Sequence, residues 1–515
     1  MKTLSTQVLI IGAGATGAGL ARDLGLRGIA CLLAEQRDVN SGASGANHGL
    51  LHSGARYVCS DPHSAEQCAR ENAIIKRIAP QCVEDCGGLF AALAGDDEAY
   101  IADFPARCHS AGVSCEEISV AIAREMEPAL SEGIIRVFSV KDASIDPFML
   151  SLENIAAATE LGAQFMPYHQ LVAFEREGRR LHAATLRNTR TGAKLRVEAE
   201  QFAVCAGAWS AHVAALAGCS REMSLIRGTL LITQTRVASR VLNRLRPPAD
   251  GDILVPGGSV SILGTTAVQV ESPEHAFPTL AEVDDNLREG LALVPRLAAT
   301  PFLRAYAGIR PLLHAAGNSR ELFSRDFLLD THEHEGLGNL LTMIGGKLTT
   351  YRLMAEKAAD LLCERLRIRV ACRTADLPLR PSKLAKWTDP GLANKYQWWN
   401  RHTPGDSLMC ECEIIPQEAV DGILPELRET GDLLLLDIAA RSRLGKGACQ
   451  GTFCAARLAA YLHDRDIVRG DTGRAGLATF LQERWKGQRP VLWGAQCAQA
   501  ELKQALYLGF LRLGE

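Results

Sequence analysis

Residues 7–35 read QVLIIGAGATGAGLARDLGLRGIACLLAE, and this stretch determines the fold expected for the first part of the chain. A short apolar run opens it and is typical of a buried parallel strand. A helical pattern follows to about Leu26, and a second apolar run comes after it. Gly12, Gly14 and Gly17 lie between the first run and the helix with the spacing G-x-G-x-x-G. This order of strand, glycines, helix and strand predicts a Rossmann-like βαβ unit.

Each part of the glycine motif has a physical role in binding a dinucleotide. Gly12 permits a tight turn, Gly14 lets the backbone approach a pyrophosphate, and Gly17 lets the helix pack closely on the sheet. The helix N-terminus offers free N–H groups and a partial positive charge to phosphate. Glu35 closes the second strand, about twenty residues after the glycines, and can accept hydrogen bonds from a ribose. The sequence therefore predicts a bound dinucleotide.

The choice between NAD and FAD depends on the rest of the chain. The chain is much longer than one nicotinamide domain requires, and its sequence holds no second complete fingerprint. Segments 198–210 and 337–362 could complete a divided flavin domain. The second of these reads as a strand, the pair Gly345-Gly346, and a long helix that begins near Lys347. The positive end of such a helix would suit a flavin ring, which gains negative charge on reduction, although a tight turn without a ligand is the alternative.

The overall composition is that of an ordinary globular protein. Over 515 residues the chain is 47% hydrophobic and 22% charged, with a net charge of −3. The length predicts roughly three domains, and the small net charge predicts no nucleic-acid partner. No apolar run reaches the ~18 residues of a membrane-spanning helix. The apolar start lacks a cleavage site and leads directly into the glycine motif, so we expect the chain on the cytoplasmic side.

Five further motifs connect the chain to a known family. They are NHGLLHSGARY at 47–57, YAGIRPLL at 306–313, FSRDF at 323–327, GGKLTTYRLMAE at 345–356 and ERWKG at 483–487. In order and spacing the chain resembles the FAD-dependent glycerol-3-phosphate dehydrogenases, in particular the A subunits of the anaerobic bacterial enzymes. The resemblance implies an α/β (α+β) fold: a Rossmann-like FAD-binding domain interleaved with an antiparallel-sheet substrate domain of the D-amino-acid-oxidase type.

The same resemblance implies where the domains begin and end. The FAD-dependent oxidoreductase region would span 1–372, with FAD-binding pieces at about 1–80, 145–220 and 326–366 and substrate-binding pieces at about 81–144 and 221–325. A connector at 373–405, an iron–sulfur domain at 406–462 and a helical tail at 463–515 would follow. We expect the tail to pack on the FAD-binding domain. Contact of its residues Trp485, Lys486, Arg489 and Trp493 with a membrane surface or a partner subunit is the alternative.

The resemblance also assigns residues to the cofactor and the substrate. The residues implied to bind FAD are Gly12, Ala13, Gly14, Gly17, Glu35, Gln36, Arg37, Ser44, Asn47, His48, Gly49, Leu50, Gly207, Trp209, Gly345, Gly346, Lys347 and Leu348. Those implied to bind glycerol 3-phosphate are Arg56, Tyr57, Arg310, Arg325 and Lys347. A phosphate monoester carries about two negative charges and favours several arginines, whose planar forks hold its oxygens. Any single one of these arginines could instead be a structural ion-pair partner.

The residue that accepts the substrate proton is less easily assigned. Our candidate catalytic residues are His52, Arg310 and Lys347. Aerobic members of the family carry a histidine in the strand that matches LIRGTLLIT, where this chain has Leu230. His52 is our first candidate for the base because a histidine titrates near neutral pH. His48 and His314 come after it. A helix-packing or backbone-bonding role is an equal alternative for His52 and the favoured interpretation for His314.

Four cysteines near the end of the chain form a separate motif. Cys410 and Cys412 are spaced C-x-C, and Cys449 and Cys454 are spaced C-x4-C. The segment RSRLGKGACQGTFC at 441–454 resembles the bacterioferritin-associated-ferredoxin-like domain, which implies a 2Fe–2S cluster held by four thiolates. A tetrahedral zinc site is an alternative, although the usual C-x2-C knuckles do not occur. Unligated thiols are a second alternative.

These features lead to one expected function and two alternatives. The resemblance implies oxidation of sn-glycerol 3-phosphate to dihydroxyacetone phosphate, with electrons passing through FAD and the cluster to a quinone. It further implies two partner proteins, namely a second catalytic subunit and an iron–sulfur subunit that anchors the complex and would hold the chain at the inner membrane. FMN is a candidate second flavin. An oxidase of a 2-hydroxy acid or an amino acid is the first alternative. A non-catalytic protein that binds FAD and senses redox state is the second.

Overall fold

The computed structural model describes residues 1–314, 323–324, 326–380, 400, 407–429 and 433–513. In chain order the strands are β1 (Lys2–Ile11), β2 (Cys31–Ala34), β3 (Leu50–Leu51), β4 (Val83–Glu84), β5 (Gly88–Leu93), β6 (Cys115–Ile118), β7 (Ile134–Val140), β8 (Ala143–Ile145), β9 (Gln164–Met166), β10 (His169–Glu177), β11 (Arg180–Asn188), β12 (Lys194–Val204), β13 (Ser224–Thr233), β14 (Val241–Arg244), β15 (Ile253–Gly257), β16 (Val260–Gly264), β17 (Val268–Val270), β18 (Phe302–His314), β19 (Phe323–Ser324), β20 (Phe327–Asp330), β21 (Leu340–Gly345), β22 (Leu408–Cys410) and β23 (Ile415–Pro416).

The helices are also numbered in chain order. They are α1 (Ala15–Leu26), α2 (Pro62–Ile78), α3 (Glu98–Ser110), α4 (Val120–Met126), α5 (Pro147–Glu160), α6 (Ser210–Leu216), α7 (Leu280–Leu293), α8 (Tyr351–Leu366), α9 (Gln417–Glu429), α10 (Leu435–Ser442), α11 (Cys454–Asp464), α12 (Gly470–Trp485) and α13 (Ala495–Gln504). A π-helical segment, Ala505–Phe510, follows α13.

The first sheet has the Rossmann-like core that the glycine motif predicts. Among the described residues it contains eight strands in the order β10-β11-β12-β1-β2-β9, with β21 on β12 and β20 on β21. The pairs β1–β2, β1–β12, β2–β9 and β12–β21 are parallel. Val8, Leu9 and Ile10 have no exposed surface because α1, α5 and α8 cover one face of β1 and a second apolar cluster covers the other. The predicted βαβ unit is confirmed.

The second sheet is antiparallel in all but one of its pairings. Ten strands of the described ranges form it in the order β19-β18-β13-β16-β15-β14-β5-β7-β6, with β17 on β13, and only β14 and β5 run parallel. Its strands come from 88–140 and 224–324, between the segments that build the first sheet. The chain therefore crosses between the two sheets several times, and the expected interleaved α/β (α+β) fold is confirmed.

The C-terminal part forms a small helical unit around the cysteines. The β22–β23 hairpin and helices α9–α12 bury a common core that includes Cys410, Ile438, Cys454 and Phe480. Since Phe480 belongs to α12, the helices after residue 463 share the core of the cysteine-bearing unit, which we call the cysteine domain (residues 407–429 and 433–485 of the described chain). Among the described residues, no helix is long and apolar enough to cross a membrane.

The tail lies on the second sheet, and the expected packing on the FAD-binding domain is wrong. The N–H of Ala305 in β18 donates to the carbonyl of Gly487 at 2.8 Å. The side-chain amide of Gln496 donates to the carbonyl of Phe302 at 3.0 Å. Of the predicted connector, residues 381–399 and 401–406 lie outside the described residues. Its first part contacts α2, where the N–H of Leu379 donates to the carbonyl of Ile78 at 2.7 Å.

Candidate active site

A cleft of about 1190 Å³ lies between the two sheets and is lined by both. Cavities that bind drug-sized ligands measure roughly 300–1,000 Å³, so this cleft can hold a dinucleotide together with a small substrate. At one end it begins at Gly12 and Glu35 of the first sheet, and at the other it reaches Arg310 of the second. The geometry therefore places the nucleotide motif and two of the predicted substrate arginines, Arg56 and Arg310, in one continuous space.

The nucleotide end has the close approaches that the motif predicts. Gly12 has φ +106°, and a Cβ there would lie 2.6 Å from the carbonyl oxygen of Cys205. A Cβ at Gly17 would collide with the carbonyl of Gly12, so α1 can pack here only with glycine at both positions. The carboxylate of Glu35 is fixed by the N–H of Ala13 at 2.9 Å and by the hydroxyl of Ser41 at 3.1 Å. The start of α1 beside a fixed carboxylate fits the pyrophosphate and ribose of FAD.

The loop after Ser41 forms the wall of the cleft that faces the second sheet. The hydroxyl of Ser44 accepts from the N–H of Ala15 at 3.0 Å, at the start of α1. The Asn47 amide donates to the carbonyl of Ser44 at 2.7 Å and accepts from the N–H of Gly49 at 2.7 Å. The hydroxyl of Tyr306 in β18 donates to the carbonyl of Asn47 at 2.7 Å. These bonds fix the conformation of the loop.

His48 is the residue of this loop whose environment points most clearly to a ligand. Its Nδ1 atom is buried and has no hydrogen-bond partner in the described residues. Burial, together with the positive charges of Arg56 and Arg310, lowers the pKa of His48 to about 3. The imidazole is therefore neutral at physiological pH, and its buried nitrogen is available to a polar group of a bound cofactor.

Most of the predicted cofactor residues line this cleft. Those that do are Gly12, Gly14, Glu35, Gln36, Ser44, Asn47, His48, Leu50, Gly207, Trp209, Gly345, Gly346, Lys347 and Leu348. Ala13, Gly17 and Gly49 are not among the residues that line the cleft. Arg37 is not among them either, and its side chain is 59% exposed. The pair Gly345-Gly346 has φ values of +83° and +79°, and a Cβ at Gly345 would lie 2.6 Å from the carbonyl oxygen of Asp326. Glycine is required there for the turn itself.

Arg310 enters the substrate end of the cleft from β18. Its Nη2 donates to the carbonyl of Thr266, and its guanidinium lies over Gly228 of the neighbouring strand, where any side chain would occupy its place. Gly228 pairs with Gly308 across the β13–β18 ladder. Two glycines facing each other inside a sheet leave room for a close approach by another group. The sheet is therefore shaped to hold this arginine toward the cleft.

Two further cations of the predicted site border the same space. Arg56 donates from Nη2 to the buried carboxylate of Asp252 at 3.2 Å, so part of its charge is already balanced. Lys347 donates from Nζ to the hydroxyl of Ser64 at 2.9 Å and lies 4.7 Å from the centre of the Tyr57 ring. Arg56 thus has a structural partner as well as a place in the cleft, as the ion-pair alternative anticipated.

His52 lies between these groups and the nucleotide end. Its side chain is 8% exposed, and its Nε2 is 3.3 Å from the hydroxyl of Tyr57. The backbone N–H of His52 donates to the hydroxyl of Thr349 at 3.0 Å. Leu230 also lines the cleft but is apolar and 2% exposed, so it offers no base. Arg325 lies outside the described residues, as does the side chain of His314.

Sequence reasoning missed several residues that shape the substrate end. Thr266 holds Arg310 through its carbonyl, and its hydroxyl donates to the buried carboxylate of Glu282 at 3.0 Å. Asp250 also borders the cleft, and burial raises the pKa of its carboxyl group. The glycine in LIRGTLL and the glycine in YAGIRPLL were the available signal for the Gly228–Gly308 pair. Only the register of the two strands shows that they face each other.

The four cysteines lie together in the cysteine domain. The thiol of Cys410 interacts with those of Cys412 and Cys454, and the thiol of Cys449 interacts with the same two, so the sulfur atoms form a closed ring. Hydrogen bonds from Cys412 and Cys454 lower the pKa of both Cys410 and Cys449. A Cβ at Gly447 would lie 2.5 Å from the Cβ of Cys412, so the loop needs glycine there. The structure thus brings together the four cysteines that the sequence predicts as ligands of an iron–sulfur cluster or of zinc.

Comparison with known proteins identifies the family to which the chain belongs. Residues 7–360 match the FAD dependent oxidoreductase family. Over its full length the chain is 40% identical to the A subunit of the anaerobic glycerol-3-phosphate dehydrogenase of Escherichia coli K12, covering 98% of that protein. It is 34% identical to the corresponding A1 subunit of Haloferax volcanii, with 99% and 91% of the two chains covered. The chain belongs to this family of FAD-dependent oxidoreductases.

The fold of this FAD-dependent oxidoreductase is shared with solved structures. The glycerol-3-phosphate dehydrogenase from Bacillus halodurans, solved with FAD, superimposes with a TM-score of 0.65 over 97% of this chain and 95% of that one. The two sequences are 18% identical, so the likeness concerns the fold. The cleft between the two sheets of this oxidoreductase therefore lies in an architecture that accommodates FAD in another member of the fold.

Proposed function

We propose that this chain binds FAD and oxidises sn-glycerol 3-phosphate to dihydroxyacetone phosphate. The observation that carries the proposal is the convergence of Arg310, Arg56 and Lys347 on one end of a cleft whose other end is a dinucleotide site. A phosphate monoester beside a flavin is the ligand that this charge distribution favours. Full-length similarity to proteins named as A subunits of anaerobic glycerol-3-phosphate dehydrogenases supports the same substrate.

The reaction removes a hydride from C2 of the substrate and a proton from the hydroxyl on that carbon. Bound FAD supplies the two-electron acceptor for the hydride. Arg310 and Lys347 hold the phosphate, and Arg56 adds charge at the same end. Fixing the phosphate limits the positions that C2 can take, and holding the reacting carbon in the right position increases the reaction rate. Arg325 remains a proposed phosphate ligand that lies outside the described residues.

His52 is the proposed proton acceptor. It borders the cleft between the nucleotide end and the cations, and the hydroxyl of Tyr57 at 3.3 Å from Nε2 orients the ring. His48 is a poorer base, because a group with a pKa of about 3 binds a proton weakly at neutral pH. Tyr57 is therefore placed both to contact substrate and to hold His52.

The four cysteines are proposed to bind a 2Fe–2S cluster that carries electrons away from the flavin. Their closed ring of thiols and the glycine-dependent loop at 445–451 support a ligand site and disfavour unligated thiols. Among the described residues, Arg484 interacts electrostatically with Cys454 and Lys503 with Cys449, and these positive charges would offset part of the negative charge of four thiolates. Arg443 is instead paired with Glu413 and Asp146. Electrons would then leave singly, toward a quinone.

The further partners follow from the names of the relatives. Proteins that are named as A subunits belong to enzymes with other subunits. We propose that this chain has two such partners, one a second catalytic subunit and the other an iron–sulfur protein that anchors the complex. Together they would hold this chain at the cytoplasmic face of the inner membrane. The flavin extracted from the purified complex would show by chromatography whether FMN accompanies FAD.

Anaerobic titration of the purified protein tests the central proposal. Glycerol 3-phosphate should bleach the flavin absorbance and yield one dihydroxyacetone phosphate per flavin reduced. Glycine and 2-hydroxyglutarate, substrates of the alternative oxidases, should leave the flavin oxidised. A flavin that stays oxidised with glycerol 3-phosphate but is reduced by either of the other two compounds would overturn the assignment.

A further inference from the structure

The cysteine domain touches the FAD-binding sheet at the segment that follows Glu35. Arg441 of α10 is 2% exposed and forms a two-pronged ion pair with Asp38, with Nη1–Oδ2 at 2.6 Å and Nη2–Oδ1 at 3.2 Å. Asp38 is three residues after the carboxylate at the nucleotide end of the cleft. A parallel fork of this kind fixes direction as well as distance. More than 400 residues along the chain separate the two partners, so the contact depends on the docking of the domain.

A second contact lies one helical turn earlier on the same face of α10. Asp437 is 2% exposed and accepts from Nη2 of Arg190 at 2.9 and 3.0 Å. The hydroxyl of Tyr168 donates to the same carboxylate, and the Arg190 guanidinium carbon lies 3.4 Å from the centre of the Tyr168 ring. Asp437 and Arg441 are spaced i, i+4, so α10 presents an anion and a cation side by side to the first sheet.

Tyr168 connects this contact to the residues next to Glu35. Its N–H donates to the carbonyl of Arg37 at 2.7 Å, and the next N–H, of His169, donates to the carbonyl of Glu35 at 2.7 Å. Tyr168 has φ +61°, a conformation that non-glycine residues adopt only where the surroundings hold it. The segment 35–38 is therefore bound along its backbone by residues 168–169 and at its end by Arg441.

We propose that helix α10 of the cysteine domain fixes segment 35–38 and thereby holds FAD in this chain. This inference rests on the proposed binding of FAD and adds a role for the cysteine domain that does not depend on electron transfer. Removing one partner of a buried ion pair leaves an uncompensated charge, so the segment would shift to rehydrate it. That shift would move Glu35, whose carboxylate is placed by Ala13 and Ser41 to meet the ribose.

The test is a double-mutant cycle on the full-length holoprotein with FAD release as the readout. Arg441→Met keeps most of the side-chain volume and removes the charge, and Asp38→Asn removes the opposite charge. Release of FAD is followed by its rise in fluorescence after dilution into buffer without flavin. We expect at least tenfold faster release from Arg441→Met, and from the double variant a release no faster than from the worse single variant.

A matched control separates docking from general damage to the domain. Arg465→Met makes the same change at an exposed pair with Asp421 inside the cysteine domain, and it should release FAD at the wild-type rate. The inference would be overturned if Arg441→Met released FAD at a rate within twofold of that of Arg465→Met. It would also be overturned if the effects of Arg441→Met and Asp38→Asn on the release rate were additive in the double variant. Reduction of the wild-type flavin by glycerol 3-phosphate is measured separately, so the inference can fail while the proposed function stands.

Discussion

The guanidinium of Arg310 occupies the space above Gly228 on the neighbouring strand, where a side chain would displace it. The arginine reaches this place because Gly228 faces Gly308, two residues before Arg310, across the β13–β18 ladder. Its direction is then fixed by the carbonyl of Thr266. The absence of a Cβ at position 228 is thus a condition for directing this cation into the cleft.

Gly228→Ala should weaken substrate binding without loss of FAD. The methyl group would push Arg310 away from its place, and a lost charge-assisted hydrogen bond costs about 1.5–3 kcal/mol. The KM for glycerol 3-phosphate should therefore rise roughly 10- to 100-fold at unchanged flavin content. Gly257→Ala in β15 is the matched control, because its Cβ would meet its nearest neighbour at 3.6 Å. Equal KM values for the two variants would show that Arg310 does not bind the substrate.

His52→Asn should slow flavin reduction while leaving substrate affinity nearly unchanged. A general base contributes roughly 10²- to 10⁴-fold to the rate, and asparagine cannot accept the proton. Stopped-flow absorbance under anaerobic conditions gives the rate of reduction and the dissociation constant of the substrate separately. His48→Asn serves as the comparison, because a neutral histidine of low pKa is not the expected base. A larger rate loss at His48 than at His52 would reverse the assignment.

The first sheet could be predicted from sequence because its signals are local. The apolar runs, the glycine spacing and Glu35 all lie within about thirty residues. The structure ends β1 at Ile11 and α1 at Leu26 as expected, although β1 begins at Lys2, six residues before the apolar run. The turn at Gly345-Gly346 was equally local. Such elements are determined by the periodicity of their own residues and by the turn conformations that glycine permits.

The rest of the site depends on contacts between distant segments. Nothing in LIRGTLL indicates that its glycine faces the one in YAGIRPLL, because the register between strands far apart in the chain is a tertiary property. The position of the tail was mispredicted for a similar reason. Its apolar positions indicate that it is buried, whereas the choice of β18 as its partner comes from hydrogen bonds such as that between Ala305 and Gly487.

His48 should make the protein sensitive to acid in a defined pH range. Its pKa is about 3 in the folded protein, mainly through burial, against about 6.5 in an unfolded chain. The unfolded state therefore takes up a proton first, so the stability due to neutral His48 is complete above about pH 6.5 and falls as the pH drops toward about 3. Between about pH 7 and about pH 5 the loss should be about 2 kcal/mol.

His48→Asn removes the titrating group and should flatten this part of the pH profile. The measurement is Tm at about pH 7, 6 and 5 for wild type and variant, with flavin content recorded for each sample. The variant should lose less Tm over this range than wild type, whatever its Tm at neutral pH. A parallel fall of the two curves would show that His48 is protonated in both states and that its burial is not maintained in solution.

Cys449→Ser should remove iron while leaving the first half-reaction intact. Protein purified without oxygen should contain about two irons and two acid-labile sulfides per chain, and the variant neither. Since Cys449 lies in the cysteine domain and the substrate cleft lies between the two sheets, glycerol 3-phosphate should still reduce the flavin of the variant. Transfer onward to a one-electron acceptor should be lost. Cys497→Ser, at an exposed thiol outside the ring, is the control and should keep its iron. Zinc without sulfide in the wild-type protein would replace the cluster with a structural metal, and the route by which electrons leave the flavin would then have to bypass the four cysteines.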